Sequence, residues 1–232
     1  MFFEAFGPAE RHRIAEYGDE RPFLEYFLSR LNPDDIVFDI GASLGLFSLH
    51  AAARLERGVV YAFEPDPETR SRLRHNHALN PQLDHCCFVE WAVSDQQGET
   101  ILYSEGAAGR APSLKPLLAH AQATCRGEVR VKTKRLDDAI AEGELPSPDV
   151  LKIDIEGAEI LCLRGAEKML RGIGKKRPRL LFLETHPDYL PEFGSDTAEV
   201  FDLLATAGFA PVWQMERFNQ CLCCFERLVP SA

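Results

Sequence analysis

Long apolar runs are missing from this chain: none approaches the ~20 residues that cross a bilayer, so no membrane-spanning helix and no membrane partner are expected. Met1 to Glu10 hold no basic stretch leading into a small-residue cleavage site, so a secretory signal is not expected and the reading is cytoplasmic. Basic residues are the minority, 26 against 36 acidic, for a formal charge of -10. That balance argues against a nucleic-acid partner, which needs a basic face, and fits a small or neutral substrate. Low-complexity segments and internal repeats are absent as well. The seven cysteines are an odd number, which without a signal points to reduced thiols and excludes a disulfide framework. Cys86-Cys87 and Cys221-Leu222-Cys223-Cys224 lie in strand-like runs whose neighbouring side chains face opposite ways, so core packing is expected of them and not a zinc site. Nothing here indicates an oligomeric state.

What is present suits one globular unit: 232 residues, 45% hydrophobic and 27% charged. From about Asp35, short apolar runs alternate with helical patterns, the signature of an α/β fold with a mostly parallel sheet. Strands are expected at Ile36–Ile40, Val59–Phe63, Cys86–Val93, Asp149–Ile155 and Arg179–Glu184, with a closing antiparallel hairpin at Phe209–Gln214 and Cys221–Arg227. Helices are expected at Leu44–Glu56, Pro67–Asn80 behind an Asp66 cap, Ala158–Arg171, and from a Ser195 or Asp196 cap to Ala207. Arg21–Leu31 reads as an amphipathic helix, so residues 1–34 form a helical extension on a domain spanning 35–232. An insertion at about 104–128, flanked by strand-like Thr100–Ser104 and Glu128–Lys134, reads as a lid or acceptor loop. The basic run Gly174 to Arg179 follows a helix, where such residues favour the dipole; a phosphate or acidic-partner patch is the functional alternative.

Four places hold residues of chemical use. The first is the turn Asp39-Ile40-Gly41-Ala42-Ser43-Leu44-Gly45, whose glycines let backbone approach a ligand beside the free N–H groups of a helix start. A dinucleotide turn reads G-x-G-x-x-G, and here Ser43 and Leu46 stand at its second and third glycines, which disfavours a pyrophosphate. The second is Glu64, about twenty residues on at a strand end, where a carboxylate accepts both hydroxyls of a ribose; Pro65 and Pro67 stiffen its backbone, and a solvated strand end is the bland alternative. The third is Lys152-Ile153-Asp154-Ile155-Glu156-Gly157-Ala158-Glu159, where strand alternation places Lys152, Asp154 and Glu156 on one face. They form either a salt-bridge network or a general base raised by its like-charged neighbour. The fourth is Glu184-Thr185-His186; His186 reads as a general base, a metal ligand with Asp154 and Glu184, or a backbone-bonded histidine, and no metal is assigned. His12, His50, His75, His77, His85 and His120 lack such partners and read as surface or packing residues.

Val37 to Gly45, Phe63-Glu64-Pro65, Trp91-Ala92-Val93-Ser94-Asp95, Leu151 to Glu159 and Leu163-Arg164-Gly165-Ala166 together resemble the FkbM family of class I methyltransferases, over roughly Ile36 to His186. The Lys-x-Asp-x-Glu-Gly-x-Glu element is the family-specific part. The resemblance implies a Rossmann-like, seven-stranded, mostly parallel sheet with a C-terminal antiparallel hairpin and helices on both faces. It implies S-adenosyl-L-methionine as cofactor and O-methylation of a small-molecule acceptor such as a sugar or polyketide hydroxyl. By position, Asp39, Gly41, Ala42, Ser43 and Gly45 would hold the methionine end, Glu64 and Pro65 the ribose, and Trp91 and Ala92 the adenine. Asn76 and Asn80 would be structural. Asp154 would sit beside sulfonium and acceptor as base, with Lys152 and Glu156 tuning it and His186 the alternate base. A nicotinamide-dependent reductase and a non-catalytic cofactor-binding module are the other readings.

Overall fold

The computed structural model describes residues 1–15, 20–104, 112–116, 127–174 and 176–228. Its main sheet has seven strands: β1 (Ile36–Ile40), β2 (Val59–Phe63), β3 (Cys86–Val89), β7 (Val150–Ile153), β8 (Leu180–Thr185), β9 (Phe209–Arg217) and β10 (Gln220–Arg227). Their order is β3-β2-β1-β7-β8-β10-β9, parallel except for β10, which runs antiparallel to both its neighbours. Successive residues of each strand feed two different cores, as a two-sided parallel sheet requires. Phe38, Ile40, Leu151, Ile153, Leu181 and Leu183 enter one core, while Val37, Val150, Leu180 and Phe182 enter the other. The first core is covered by α5 (Leu136–Ala141), α6 (Glu159–Gly165), α7 (Glu167–Arg171) and α8 (Thr197–Thr206), the second by α2 (Arg21–Ser29) and α3 (Leu46–Ala52). In the second, Phe23 of α2 meets Phe47, Phe182 and Trp213 at ring separations of 5.7–5.8 Å.

The expected third strand, Cys86–Val93, is in fact broken. After Val89 the chain leaves the main sheet, and β4 (Ala92–Val93) joins β5 (Gly98–Ser104) and β6 (Gly127–Lys134) in a second sheet of order β4-β6-β5. Trp91 makes the corner: its ring packs edge-on to Phe63 at 5.3 Å and its Nε1 donates to Glu144 Oε1 at 3.0 Å. The expected helix Ala158–Arg171 is likewise two helices, broken at Ala166, because Asp137 of α5 accepts from Lys168 N and Met169 N and caps α7 separately. Asp66 caps α4 (Pro67–Ala78) and Asp196 caps α8. The first helix of the core is shorter than expected, Leu46–Ala52.

The N-terminal segment is tied to the core by amides. Asn80 exchanges hydrogen bonds with Phe2, and Asn76 accepts from Glu4 N while donating to Leu44 O of the glycine turn. α1 (Pro8–Ala15) adds Glu10, paired with Arg72 at 2.9 Å. The basic run serves structure: Lys176 pairs with Asp149, Arg177 donates to Leu170 O at 2.7 Å and to Ala207 O, and Arg179 pairs with Asp35. Lys175 lies outside the described residues, as do His120 and most of the expected 104–128 insertion. Cys223 and Cys224 are fully buried, one in each core. Among the described residues, no helix is long and apolar enough to cross a membrane.

Candidate active site

The C-terminal ends of β1, β2 and β7 meet at the glycine turn, where open α/β sheets take their ligands. Gly41 N and Ala42 N both donate to Phe63 O, which fastens the turn to the end of β2. Gly41 has φ +85, and a Cβ there would lie 1.9 Å from Asp154 O. Only glycine lets the turn press against the end of β7 in this way. Ser43 also has a left-handed backbone, φ 51, and its buried Oγ has no hydrogen-bond partner. Ser43 thus combines a strained backbone with an orphaned buried hydroxyl, which makes the turn a candidate for ligand contact.

Glu64 is 3% exposed, and its two oxygens accept from Ser43 N at 2.9 Å and Asp66 N at 3.0 Å. Burial pushes its carboxyl up to about 7, against the pull of these backbone donors. Each oxygen retains a lone pair for a further donor. Glu64 lines a cleft with Gly41, Ser43, Pro65, Trp91, Ala92, Asp154 and Glu156. Ala42 faces an adjoining narrow recess with Lys152 and Asp154. Asp39 and Gly45 line neither space. Asp39 is buried beneath the turn and accepts from Ser48 Oγ at 2.5 Å, while a Cβ on Gly45 would meet Leu73 Cδ1 at 2.5 Å, so that glycine serves the packing of α3 on α4.

The charged strand departs from its expected pattern at one position. β7 ends at Ile153, and Glu156 has φ 50, so simple alternation does not extend to it. The three groups nevertheless converge. Lys152 Nζ lies 3.2 Å from Asp154 Oδ2 and 3.5 Å from Asp39 Oδ1. Burial alone would lower the Lys152 ammonium; Asp154, Asp39, Glu20 and Glu184 outweigh it and hold it above the ordinary lysine value. Burial likewise opposes ionisation of Asp154, but Lys152, His186 and Arg13 bring its carboxyl down to about 2. Glu156 is shifted the other way, upward, mainly by burial.

His186 is 2% exposed and is not a backbone-bonded histidine. Its Nδ1 lies 2.6 Å from Glu159 Oε1, and its ring stacks on Tyr189 at 5.8 Å. Its Nε2 faces Glu156 Oε2 at 3.5 Å, Glu184 Oε1 at 3.7 Å and Asp154 Oδ1 at 3.9 Å. Burial opposes its charging, but Glu156, Glu159 and Asp154 raise it to about 10.

Several residues at the site carry no sequence signal. Glu20, just ahead of α2, and Arg217, the last residue of β9, are paired at 2.9 Å, and Arg217 also holds Glu184 at 2.7 Å. Both line a second cavity with Arg13, Asp154, Glu156 and Phe218. They come from the two ends of the chain, where no motif points to them. Glu159 does stand within the charged element, and the only hint of its role was its place there.

Residues 39–211 match the methyltransferase FkbM domain, well over half of the chain. The chain is 27% identical to the hexuronic acid methyltransferase AglP of Haloferax volcanii, over 84% of this chain and 72% of that protein. It is 33% identical to the 31-O-demethyl-FK506 methyltransferase FkbM of Streptomyces tacrolimicus, over 59% and 61% of the two, and 28% identical to the 2-O-methyltransferase NoeI of Sinorhizobium fredii, over 74% and 72%. In fold it is similar to magnesium protoporphyrin IX methyltransferase of Synechocystis, solved with bound S-adenosylmethionine, with TM-score 0.56 at 11% identity over 98% of this chain and 87% of that one. The strand order, the glycine turn and these matches agree: the chain belongs to the FkbM family of S-adenosylmethionine-dependent methyltransferases.

Proposed function

We propose that the protein methylates a hydroxyl of a small polar acceptor, in the first instance a sugar. The observation that carries this reading is that Asp154 and Glu156 line both the cleft beside Glu64 and the second cavity beside Arg217, so one wall serves two pockets. The second cavity is lined by Arg13, Glu20, Glu184, Arg217 and Gln220, groups that hydrogen-bond hydroxyls, where a polyketide would want apolar walls. Two of the relatives are named for transfer to oxygen and one for a hexuronic acid. The charge of -10 favours such an acceptor over a nucleic acid.

The cleft fits the cofactor by the groups it offers: the unpartnered Ser43 Oγ, the Glu64 carboxylate with acceptor capacity to spare, and the apolar wall of Trp91 and Ala92. Gly41, Ala42 and Ser43 would hold its methionine end near Lys152 and Asp154, Glu64 and Pro65 its ribose, and Trp91 and Ala92 its adenine. Asp39 and Gly45 act from beneath, through Lys152 and through helix packing. S-adenosylmethionine supplies an activated methyl group on a sulfonium that leaves as a neutral thioether. The residues then have to orient the acceptor and take its proton. The sequence assigned that proton to Asp154, but its ion pair with Lys152 makes it a weak base. Asp154 is better suited to orienting the hydroxyl, and Glu156, with its raised carboxyl, to receiving the proton.

Methyl-labelled S-adenosylmethionine, incubated with the protein and glycosides of hexuronic acids and neutral sugars, tests this. Label in a base-stable methyl ether is expected; label released by mild base would mean a carboxyl acceptor and would overturn the hydroxyl reading. S-adenosylhomocysteine at 100 times its Kd should stabilise the fold by roughly 2.7 kcal/mol and nicotinamide dinucleotides by nothing.

A further inference from the structure

We propose that Asp154 Oδ1, Glu156 Oε2 and His186 Nε2 form a binding site for one divalent cation in the wall between the two cavities. The three atoms lie within 4.8 Å of one another. From His186 Nε2, Glu156 Oε2 is 3.5 Å away and Asp154 Oδ1 3.9 Å. A cation with bonds of about 2.1 Å accommodates ligand separations between about 3.0 and 4.2 Å, so both distances fit around one ion.

Two independent observations point to an ion here and not merely to an acidic cluster. The first is that His186 Nε2, in a residue 2% exposed, has no hydrogen-bond partner and faces Glu156 Oε2 at 3.5 Å, Glu184 Oε1 at 3.7 Å and Asp154 Oδ1 at 3.9 Å, of which Glu184 Oε1 is already taken by Arg217. The second lies on the other side of the ring. Nδ1 is bonded to Glu159 Oε1, which also accepts from Gly157 N at 3.0 Å and is thereby fixed. Without an ion the ring bears a proton on each nitrogen; an ion at Nε2 would displace that proton and use its lone pair, while Glu159 keeps the other proton on Nδ1, the arrangement that supports metal-bound histidines. Asp154 divides its oxygens in the same way: Oδ2 takes Lys152, which leaves Oδ1 for the ion. The neighbouring group Glu20, Asp154 and Glu184 does not qualify, because Arg217 already occupies Glu20 Oε1 and Glu184 Oε1.

Two carboxylates and one imidazole suit a borderline cation such as Mn2+, Co2+ or Zn2+ better than Ca2+, which prefers oxygen alone. Three protein ligands leave positions open toward the cavities that Asp154 and Glu156 line. A hydroxyl of the acceptor in such a position would be polarised and would lose its proton more readily, to the free oxygen of Glu156. The site itself rests on the three ligands and not on methyl transfer.

Protein stripped with EDTA and dialysed is titrated with Mn2+, the free ion being followed by its paramagnetic resonance signal. One equivalent per chain should bind, and pulsed resonance of the native complex should show one directly bonded imidazole nitrogen. Affinity should fall about tenfold or more in Glu156→Gln, His186→Gln and Glu159→Gln, and change less than about threefold in Glu20→Gln. S-adenosylhomocysteine affinity measured on the same samples shows which variants are folded. Failure of the native protein to bind Mn2+, or a bound ion without nitrogen coupling, overturns the site whatever the variants do. If S-adenosylhomocysteine still binds in that case, the methyltransferase reading stands without a metal.

Discussion

Glu64 is costly in its charged form because it is buried, and its raised value of about 7 brings that cost into an accessible pH range. The sign follows from the two states. Unfolded, the carboxyl ionises near 4.5, so between about 4.5 and 7 the folded protein holds a proton the unfolded chain has lost, and this group makes stability fall as pH rises through that window. A ligand hydroxyl donating to the carboxylate reverses the preference. S-adenosylhomocysteine should therefore bind more tightly at pH 8 than at pH 6, releasing a proton below pH 7, by calorimetry in two buffers of different ionisation enthalpy. Glu64→Gln should bind at least about tenfold more weakly at pH 8 and lose the pH dependence. Gly41 sets the other residue-scale limit. Gly41→Ala puts a methyl 1.9 Å from Asp154 O at φ +85, so the turn and β7 must separate. Strain of about 1–3 kcal/mol and loss of cofactor binding are expected, read as a lower urea midpoint and no thermal shift with S-adenosylhomocysteine.

At the scale of elements, periodicity located nearly every strand of the main sheet, because each one is buried on alternating sides by residues adjacent in sequence. It failed where a distant group intervenes. Nothing local to Ala158–Arg171 announces a break at Ala166; the cap that starts α7 is Asp137, about thirty residues upstream. Nor does Cys86–Val93 show that Trp91 turns the chain into a second sheet to reach Phe63 and Glu144. The same reason explains the site. Glu64, Lys152 and Asp154 stand at strand ends, where position implies function, whereas Glu156 reaches the cluster through a left-handed turn that alternation does not foresee. Asp137→Ala tests the distant cap: two N–H groups at the second and third positions of α7 lose their acceptor, and urea unfolding should show a loss of about 2 kcal/mol. A loss near zero would mean that α7 is held by its packing of Met169 and Leu170 alone.

Across the whole molecule, the segment ahead of α2 meets the end of β9 beside the end of β8. Glu20 precedes the first core helix, Arg217 ends β9, and Glu184 lies at the end of β8 between them. One guanidinium thus joins three segments remote in sequence, a relation no local pattern encodes. Glu184 Oε1 stands between the two cations, 2.7 Å from Arg217 and 3.7 Å from His186 Nε2, and so links the Arg217 pair to the groups around His186. Arg217→Ala should leave Glu20 and Glu184 buried together without their cation, at 9% and 2% side-chain exposure. Breaking a buried pair from one side is destabilising by about 3–5 kcal/mol, and since Arg217 is itself 15% exposed the lower end applies. Chemical denaturation of the ligand-free protein should show a loss of about 3 kcal/mol, with Arg217→Lys recovering part of it through one remaining contact. A loss below about 1 kcal/mol would mean that water reaches both carboxylates, and that the second cavity is open to solvent instead of being a pocket closed by the Glu20–Arg217 pair.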